Sequence, residues 1–259
     1  MSHLALFFFG YPHIELNHNP CTLKLRKALA LLAVAAISTV PITRDMLVAM
    51  LWPEVATGHS QLRYALWTLR STLGVDWLVT DGPAVSFNPD ADIMIDINQF
   101  QLLLAQAGIP GHPPDQLSER TLPLLEAAIK LYQDSFLAGF TLCHCPEFDE
   151  WQCLHTESFR RDLALALQST VSVLTRSTQY ARAISYAERW VALDPLNEPA
   201  QRSLMRLYVH TGRRAEAIRQ FRACTRYLQE ELDMQPGQQT KRLYQDILTR
   251  RFPSATPTA

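Results

Sequence analysis

The 259-residue sequence is short of most features that would announce an enzyme. It has no GxxxxGK(S/T) phosphate cradle, no GxGxxG dinucleotide turn and no GxSxG nucleophile elbow. Its carboxylates are scattered, and an adjacent pair such as Glu230–Glu231 reads as a solvated face. No catalytic constellation and no cofactor motif emerges, so the expectation is a protein that is not an enzyme and needs no cofactor. Charge of one sign is also lacking. The formal net charge is −1. Residues 1–98 carry six Lys/Arg against eight Asp/Glu, leaving eighteen against seventeen for the remainder. Neither part is a basic patch in bulk, so any nucleic-acid contact must rest on a few placed arginines.

Cysteine is sparse, at five, and its spacing is no disulfide framework, which points to a reducing compartment. Cys143, Cys145, Cys153 and His155 in "CHCPEFDEWQCLH" can be read as four zinc ligands. Trp151 to His155 should be helical, however, and residues two apart on a helix point in different directions. No metal is therefore expected. A long hydrophobic run is missing too. "ALALLAVAAI", Ala28 to Ile37, follows the basic "LKLRK" but is too short to span a bilayer. It follows some twenty residues that read as strands and turns, unlike a signal peptide. A buried helix and a cytoplasmic protein with no membrane partner are the expectation.

What is present is a set of strongly patterned helices. In "HSQLRYALWTLRSTLG", His59 to Gly74, the residues Leu62, Ala65, Leu66, Leu69 and Leu73 share one arc at helical periodicity. Ser60, Arg63, Tyr64, Trp67, Arg70 and Ser71 fall on neighbouring arcs. Gly74 is a natural stop. Arginines on an outer arc are ordinary, whereas an outward tryptophan between them tends to mark a contact. From the helix alone, packing of Trp67 on another segment of its own domain stays open. His59, at the helix start, reads as a solvated cap-region residue.

Before this helix come short strands with turns at Gly10–Pro12 and Asn17–Pro20, then a helix from about Lys24 to Ile37. Thr43 is placed as the N-cap of a helix that Pro53 closes. After it, Trp77 to Phe87 reads as a hairpin turning at Asp81–Gly82. Strands, three helices and a terminal hairpin make the winged-helix plan, whose third helix enters the major groove.

The following stretch reads as a connection, with a Pro/Gly-rich break at Gly108 to Asp115. From Leu122 the pattern is helical. There, "YARAISYAERWVALDP" and "RRAEAIRQFRACTRYLQEEL" match at an offset of 34, the period of tetratricopeptide-type hairpins. Ala183–Ile184 and Ala217–Ile218 should each sit in the second helix of an antiparallel pair, at its close contacts, with Ala187 falling opposite Phe221. Phe136, Phe148 and Trp151 read as anchors of this helical domain. Arg202, Arg206, Arg213, Arg214, Arg219, Arg222 and Arg226 form basic ridges that suit an acidic partner, DNA phosphates or plain solvent. The tail "PSATPTA" reads as a linker or frayed end.

The fold class is thus mainly α with small β elements: an N-terminal winged helix over 1–98, an all-α tetratricopeptide-like domain over 99–252, and a tail over 253–259. The segments "LKLRKALALLA", "MLWPE", "LRYALWTLRSTLG", "IDINQF", "LYQDSFLAG", "EFDEW", "LDPLNEPAQRSLMRLYVHTGRRAEAIRQFRAC" and "LYQDIL" together resemble, in order, the bacterial transcriptional activators of the antibiotic-regulatory (SARP) type. The resemblance implies a winged-helix DNA-binding domain joined to a bacterial transcriptional activation domain. It carries Arg63 and Arg70 over as contacts to double-stranded DNA, with Trp67 beside them; Ser60, Tyr64, Thr43 and Arg44 complete the candidate set. With so few basic residues, a homodimer on paired half-sites or a partner such as RNA polymerase is expected to supply part of the affinity. One departure matters: the hairpin "DGPAVSF" has no basic residue, leaving Lys24, Arg26, Lys27 and Arg44 to compensate. Each neutralised phosphate adds affinity, so a monomer should bind weakly. The alternative is a protein-protein interaction scaffold whose winged helix no longer binds DNA.

Overall fold

The computed structural model describes residues 3–249 apart from 54, 81, 110 and 112. Glu54 of "MLWPE", Asp81 of the hairpin turn, part of the Pro/Gly-rich break and the tail therefore lie outside the described residues. The chain divides into two compact units, one of residues 1–103 and 127–161, the other of 104–126 and 162–259. This division by contact does not follow the sequence boundary at residue 98.

In the first unit, β1 (Leu4–Phe7), β2 (His13–Leu16) and β3 (Asn19–Cys21) form an antiparallel meander. Asn17 and His18, at φ 52° and 63°, make the two-residue turn between β2 and β3 that matches strand twist. β7 (Ile93–Ile95) then returns beside β1 in parallel, pairing Leu4 with Ile93 and Leu6 with Ile95. The stretch expected to be a plain connection thus completes a four-stranded sheet and continues as α4 (Asp96–Gln106). A three-residue parallel strand has too short an alternation to read, and its partner lies some ninety residues away in sequence.

Between those strands lie α1 (Arg26–Ile37), β4 (Ile42–Thr43), α2 (Arg44–Leu51), α3 (Gly58–Leu73), β5 (Leu78–Val79) and β6 (Ala84–Phe87). Every residue of α1 from Ala28 to Ala36 is buried, so the apolar run is a core helix. Its alanines let α2, α3 and β6 approach it closely. Thr43 caps α2, its Oγ1 accepting from Met46 N–H at 3.3 Å. The expected hairpin forms, with Leu78 opposite Phe87 and Val79 opposite Ser86, and β4 adds a third strand along β6.

The start of α3 is set by a close approach to α2. A Cβ on Gly58 would sit 2.5 Å from Cγ1 of Val48, a stiff β-branched side chain. Gly58→Ala is therefore expected to lower stability by roughly 1–3 kcal/mol, the usual cost of overpacking. Chemical denaturation measures it; an unchanged midpoint would mean that the two helices separate freely.

An aromatic cluster fills the rest of this unit. Phe9 meets Phe100, Tyr132 and Phe159 at ring-centroid distances of 5.2, 4.5 and 5.3 Å. Phe136 and Phe148 are fully buried here and Trp151 half-buried, so these three anchor the unit that contains the N-terminal sheet, not the helical repeats. Asp96 is buried among them at 2% exposure. Its Oδ2 accepts from Phe8 and Phe9 N–H, both at 2.8 Å, and its Oδ1 from its own neighbour Ile97 N–H at 2.7 Å.

In the second unit, the last part of α6 (Pro146–Arg176) is followed by α7 (Tyr180–Leu193), α8 (Glu198–His210), α9 (Arg214–Leu232) and α10 (Gln238–Leu248). The 34-residue offset is a structural repeat. Thr178 and Gly212 take left-handed φ values of 57° and 75°. Gln179 and Arg213 follow at φ/ψ of −84°/55° and −85°/54°. Their N–H groups reach back five residues, to Leu174 O at 2.9 Å and Tyr208 O at 2.7 Å. Ala183 and Ala217 are each completely buried in the helix that follows the turn. Ala187 is likewise buried, while its counterpart Phe221 stacks on Tyr244 with centroids 3.9 Å apart.

Candidate nucleic-acid interface

The leucine arc of α3 is buried throughout, and α3 packs on α1 and α2. What remains outside is a polar and aromatic face. Tyr64 and Trp67 stack with centroids 5.9 Å apart at 22°, and stay 56% and 63% exposed. That degree of exposure is inconsistent with Trp67 packing into its own domain. An exposed aromatic pair of this size marks a contact surface. Arg63 is exposed one turn before Trp67, its Nη2 donating to Ser60 Oγ at 3.0 Å. Ser60, Arg63, Tyr64 and Trp67 therefore share one open face.

The arginine at the other end of the helix behaves differently. Arg70 is half-buried, and its Nη2 donates to the hydroxyl of the buried Thr80 at the end of β5. Nη2 of Arg44 donates to the backbone oxygen of the same residue at 2.6 Å. The Nε atoms of both arginines are buried without a partner among the described residues. The sequence reading placed Arg70 in the open beside Arg63. It sits half-buried because the hydroxyl of Thr80, just after β5, takes up its guanidinium. Thr80 thus joins three elements: the end of α3, the start of α2 and the base of the wing. Nothing in its sequence context marks it. Thr43 spends its hydroxyl on capping α2, and Arg44 N–H donates to Pro83 O of the wing at 2.8 Å.

The other basic residues do not extend the α3 face. Arg26 donates to Thr141 O at 2.8 and 3.2 Å and lies over the Phe140 ring, and Lys27 sits over Trp52. Lys24 is exposed. His59 pairs across the surface with Asp45 at 3.4 Å. Gly82 turns the wing at φ 85°, beside an exposed Val79. The electrostatics are thus sparse: one open guanidinium, two tethered ones and a stacked aromatic pair.

The cysteine–histidine set is not assembled. Cys145 is buried with Sγ donating to Leu51 O at 3.3 Å, Cys143 and Cys153 are exposed, and His155 packs between Trp151 and Phe159. Burial pushes the Cys145 thiol up and the His155 imidazole down from their ordinary values. Among the described residues no group of three or more His, Cys, Asp or Glu could hold a metal ion. Among them, too, no helix is long and apolar enough to cross a membrane.

The basic ridges are mostly engaged. Arg213 and Arg219 each lie 3.5 Å from Glu216. Arg214 donates to Ile247 O and Leu248 O at 2.9 and 2.7 Å, and Arg226 lies over Tyr227.

The bacterial transcriptional activator domain family matches residues 95–248. The chain is similar to transcriptional regulator RedD of Streptomyces coelicolor, 27% identical over 196 residues, covering 72% of this chain and 49% of RedD. It is also similar to regulatory protein AfsR of Streptomyces griseus, 28% identical over 184 residues, covering 70% of this chain and 18% of AfsR. The matches thus take in about half or less of these relatives. Among solved structures, Mycobacterium tuberculosis EmbR in complex with a low affinity phosphopeptide has the same fold, with a TM-score of 0.74 at 20% identity, over 98% of this chain and 66% of that one.

Proposed function

The chain belongs to the bacterial transcriptional activator domain family, with transcriptional regulators of the SARP type as its relatives, and on that premise we propose that it binds double-stranded DNA through α3. The observation that carries the reading is the open face of Arg63, Tyr64 and Trp67 on a helix whose other side is entirely core. Arg63 lies in the first half of α3, the part of a recognition helix that meets base edges, and arginine is the commonest bidentate reader of guanine. Ser60 steers its guanidinium. The Tyr64–Trp67 pair offers apolar edges to sugars and thymine methyl groups.

Arg70 and Arg44 act as the pair that holds the wing against α3 and presents its remaining donors to phosphate. Thr43 contributes through the start of α2, a position that commonly lies against backbone phosphate. In this reading residues 1–98 are the DNA-binding part and 99–252 the helical activation part, which serves dimerisation, RNA polymerase contact or signal input in a cytoplasmic regulator that performs no catalysis.

A scaffold that has lost DNA affinity is the competing reading, and the wing without basic residues favours it. Selection of bound duplexes from a random pool by the full chain separates the two. An enriched motif, most simply a repeat of two half-sites, is the expected result. Recovery of the starting pool leaves the scaffold.

A further inference from the structure

A groove in the second unit has no part in that reading. Gln168, Ser172 and Arg176 run along the end of α6 at i, i+4 and i+8, and Arg202, Arg206 and His210 run along α8 at the same spacing. Each residue of the second row lies 34 positions after its counterpart in the first, so two successive repeats present equivalent faces to one another. Between them lies a cavity of about 380 Å³. Stacked helical hairpins generate such concave surfaces, and these are where they bind.

The lining is lopsided in charge. Three guanidiniums, of Arg176, Arg202 and Arg206, meet a single carboxylate, that of Asp115. Arg176 is occupied by the backbone oxygens of Asp115 and Leu117. Arg202 donates to Thr240 Oγ1 at 3.1 Å and lies 4.0 Å from Glu198. Arg206 makes no ion pair among the described residues. Burial, and then the neighbouring charge of Arg202, hold its guanidinium below the ordinary value. Trp190 lines the same cavity at 3% exposure, with an Nε1–H that has no acceptor among the described residues. A buried donor left unmet in this way calls for an explanation, and an incoming acceptor is one. Val171 and Leu207 supply apolar wall beside these groups.

We propose that this groove seats an extended acidic peptide segment of a partner protein, with a carboxylate side chain against Arg206 and Arg202 and apolar side chains against Val171 and Leu207. The concave shape and small volume suit a few side chains, whereas duplex phosphates lie on a convex surface that does not enter such a cleft.

The test is fluorescence anisotropy of the full chain with a fluorescein-labelled decapeptide alternating aspartate and leucine, and with its asparagine counterpart. The aspartate peptide should bind, the asparagine peptide should not, and added salt should weaken binding. Arg206→Glu should lower affinity about tenfold or more, as should Ser172→Glu from the opposite wall. Circular dichroism checks that both variants stay folded, and duplex binding through α3 should be unchanged in each. Failure of the aspartate peptide to bind, or binding by both variants equal to that of the unaltered chain, overturns the proposal. So does retention of peptide binding with loss of duplex affinity, which would assign the groove to phosphate instead.

Discussion

Replacing Asp96 by alanine should lower the unfolding free energy by about 3 kcal/mol, since it takes the carboxylate acceptor from three buried backbone donors and removes hydrogen bonds to a charged group. Phe8 and Phe9 N–H would be left with no partner inside the aromatic core, where water does not replace the lost oxygen. Asp96→Asn keeps one acceptor oxygen and should lose less. Burial pushes the Asp96 carboxyl above its ordinary range, against the pull of the Phe9, Phe8 and Ile97 N–H groups and the charge of His13. The folded protein therefore holds this proton longer than the unfolded chain does. Between the unfolded carboxylate value, about 3.9, and the raised folded one, the group's contribution to stability falls as pH rises, and it stays lower above that window. The lead of the unaltered protein over Asp96→Asn should accordingly shrink from pH 4 upward. Urea titration of the three proteins across that range reads both effects. Equal midpoints for Asp96→Ala and the unaltered chain would remove Asp96 from its role as the pin between β1 and α4.

Long, strongly periodic elements were legible in the amino-acid order. The leucine arc of α3, the Thr43 cap, the hairpin and the 34-residue repeat each rest on local signals that burial then enforces. The parts that escaped reading are those made by distant partners. β7 has three residues and acquires meaning only beside β1. Asp96 looks like any helix-start aspartate until the sheet brings Phe8 and Phe9 to it. Phe136, Phe148 and Trp151 gave no hint of which unit would claim them, because an apolar side chain carries no address. At the candidate site, the exposed face of Arg63, Tyr64 and Trp67 follows directly from helical spacing. The tether of Arg70 and Arg44 to Thr80 does not, since it depends on where the fold brings Thr80, ten and thirty-six residues further along the chain. The groove between α6 and α8 was half visible: the arginine ridge was evident, but its facing row appears only when the repeat offset is applied to Gln168, Ser172 and Arg176.

Arg63→Ala and Arg70→Ala should both weaken DNA binding, by different routes. The two α-carbons are one i,i+7 step apart, about 10 Å along the axis. Loss of a bidentate base contact costs on the order of 1–3 kcal/mol and relaxes preference at one position. That is the expected signature of Arg63, which is exposed and, among the described residues, donates only to Ser60 of its own helix. Loss of a phosphate contact weakens binding evenly across sequences and flattens the salt dependence. Arg70 should follow that second pattern and also lower stability, because its removal frees Thr80 at the base of the wing. Trp67→Ala should weaken binding without loss of stability, its ring being largely in solvent.

The central claim is that the open face of α3 reads sequence. Equilibrium titration of the full chain and of Arg63→Ala against the selected duplex and a scrambled one, at two salt concentrations, tests it most directly. The account predicts that the unaltered chain prefers the selected duplex, and that Arg63→Ala loses most of this preference while keeping its weak, salt-sensitive affinity for the scrambled duplex. Equal affinity of the unaltered chain for both duplexes, or an undiminished preference in Arg63→Ala, would contradict it.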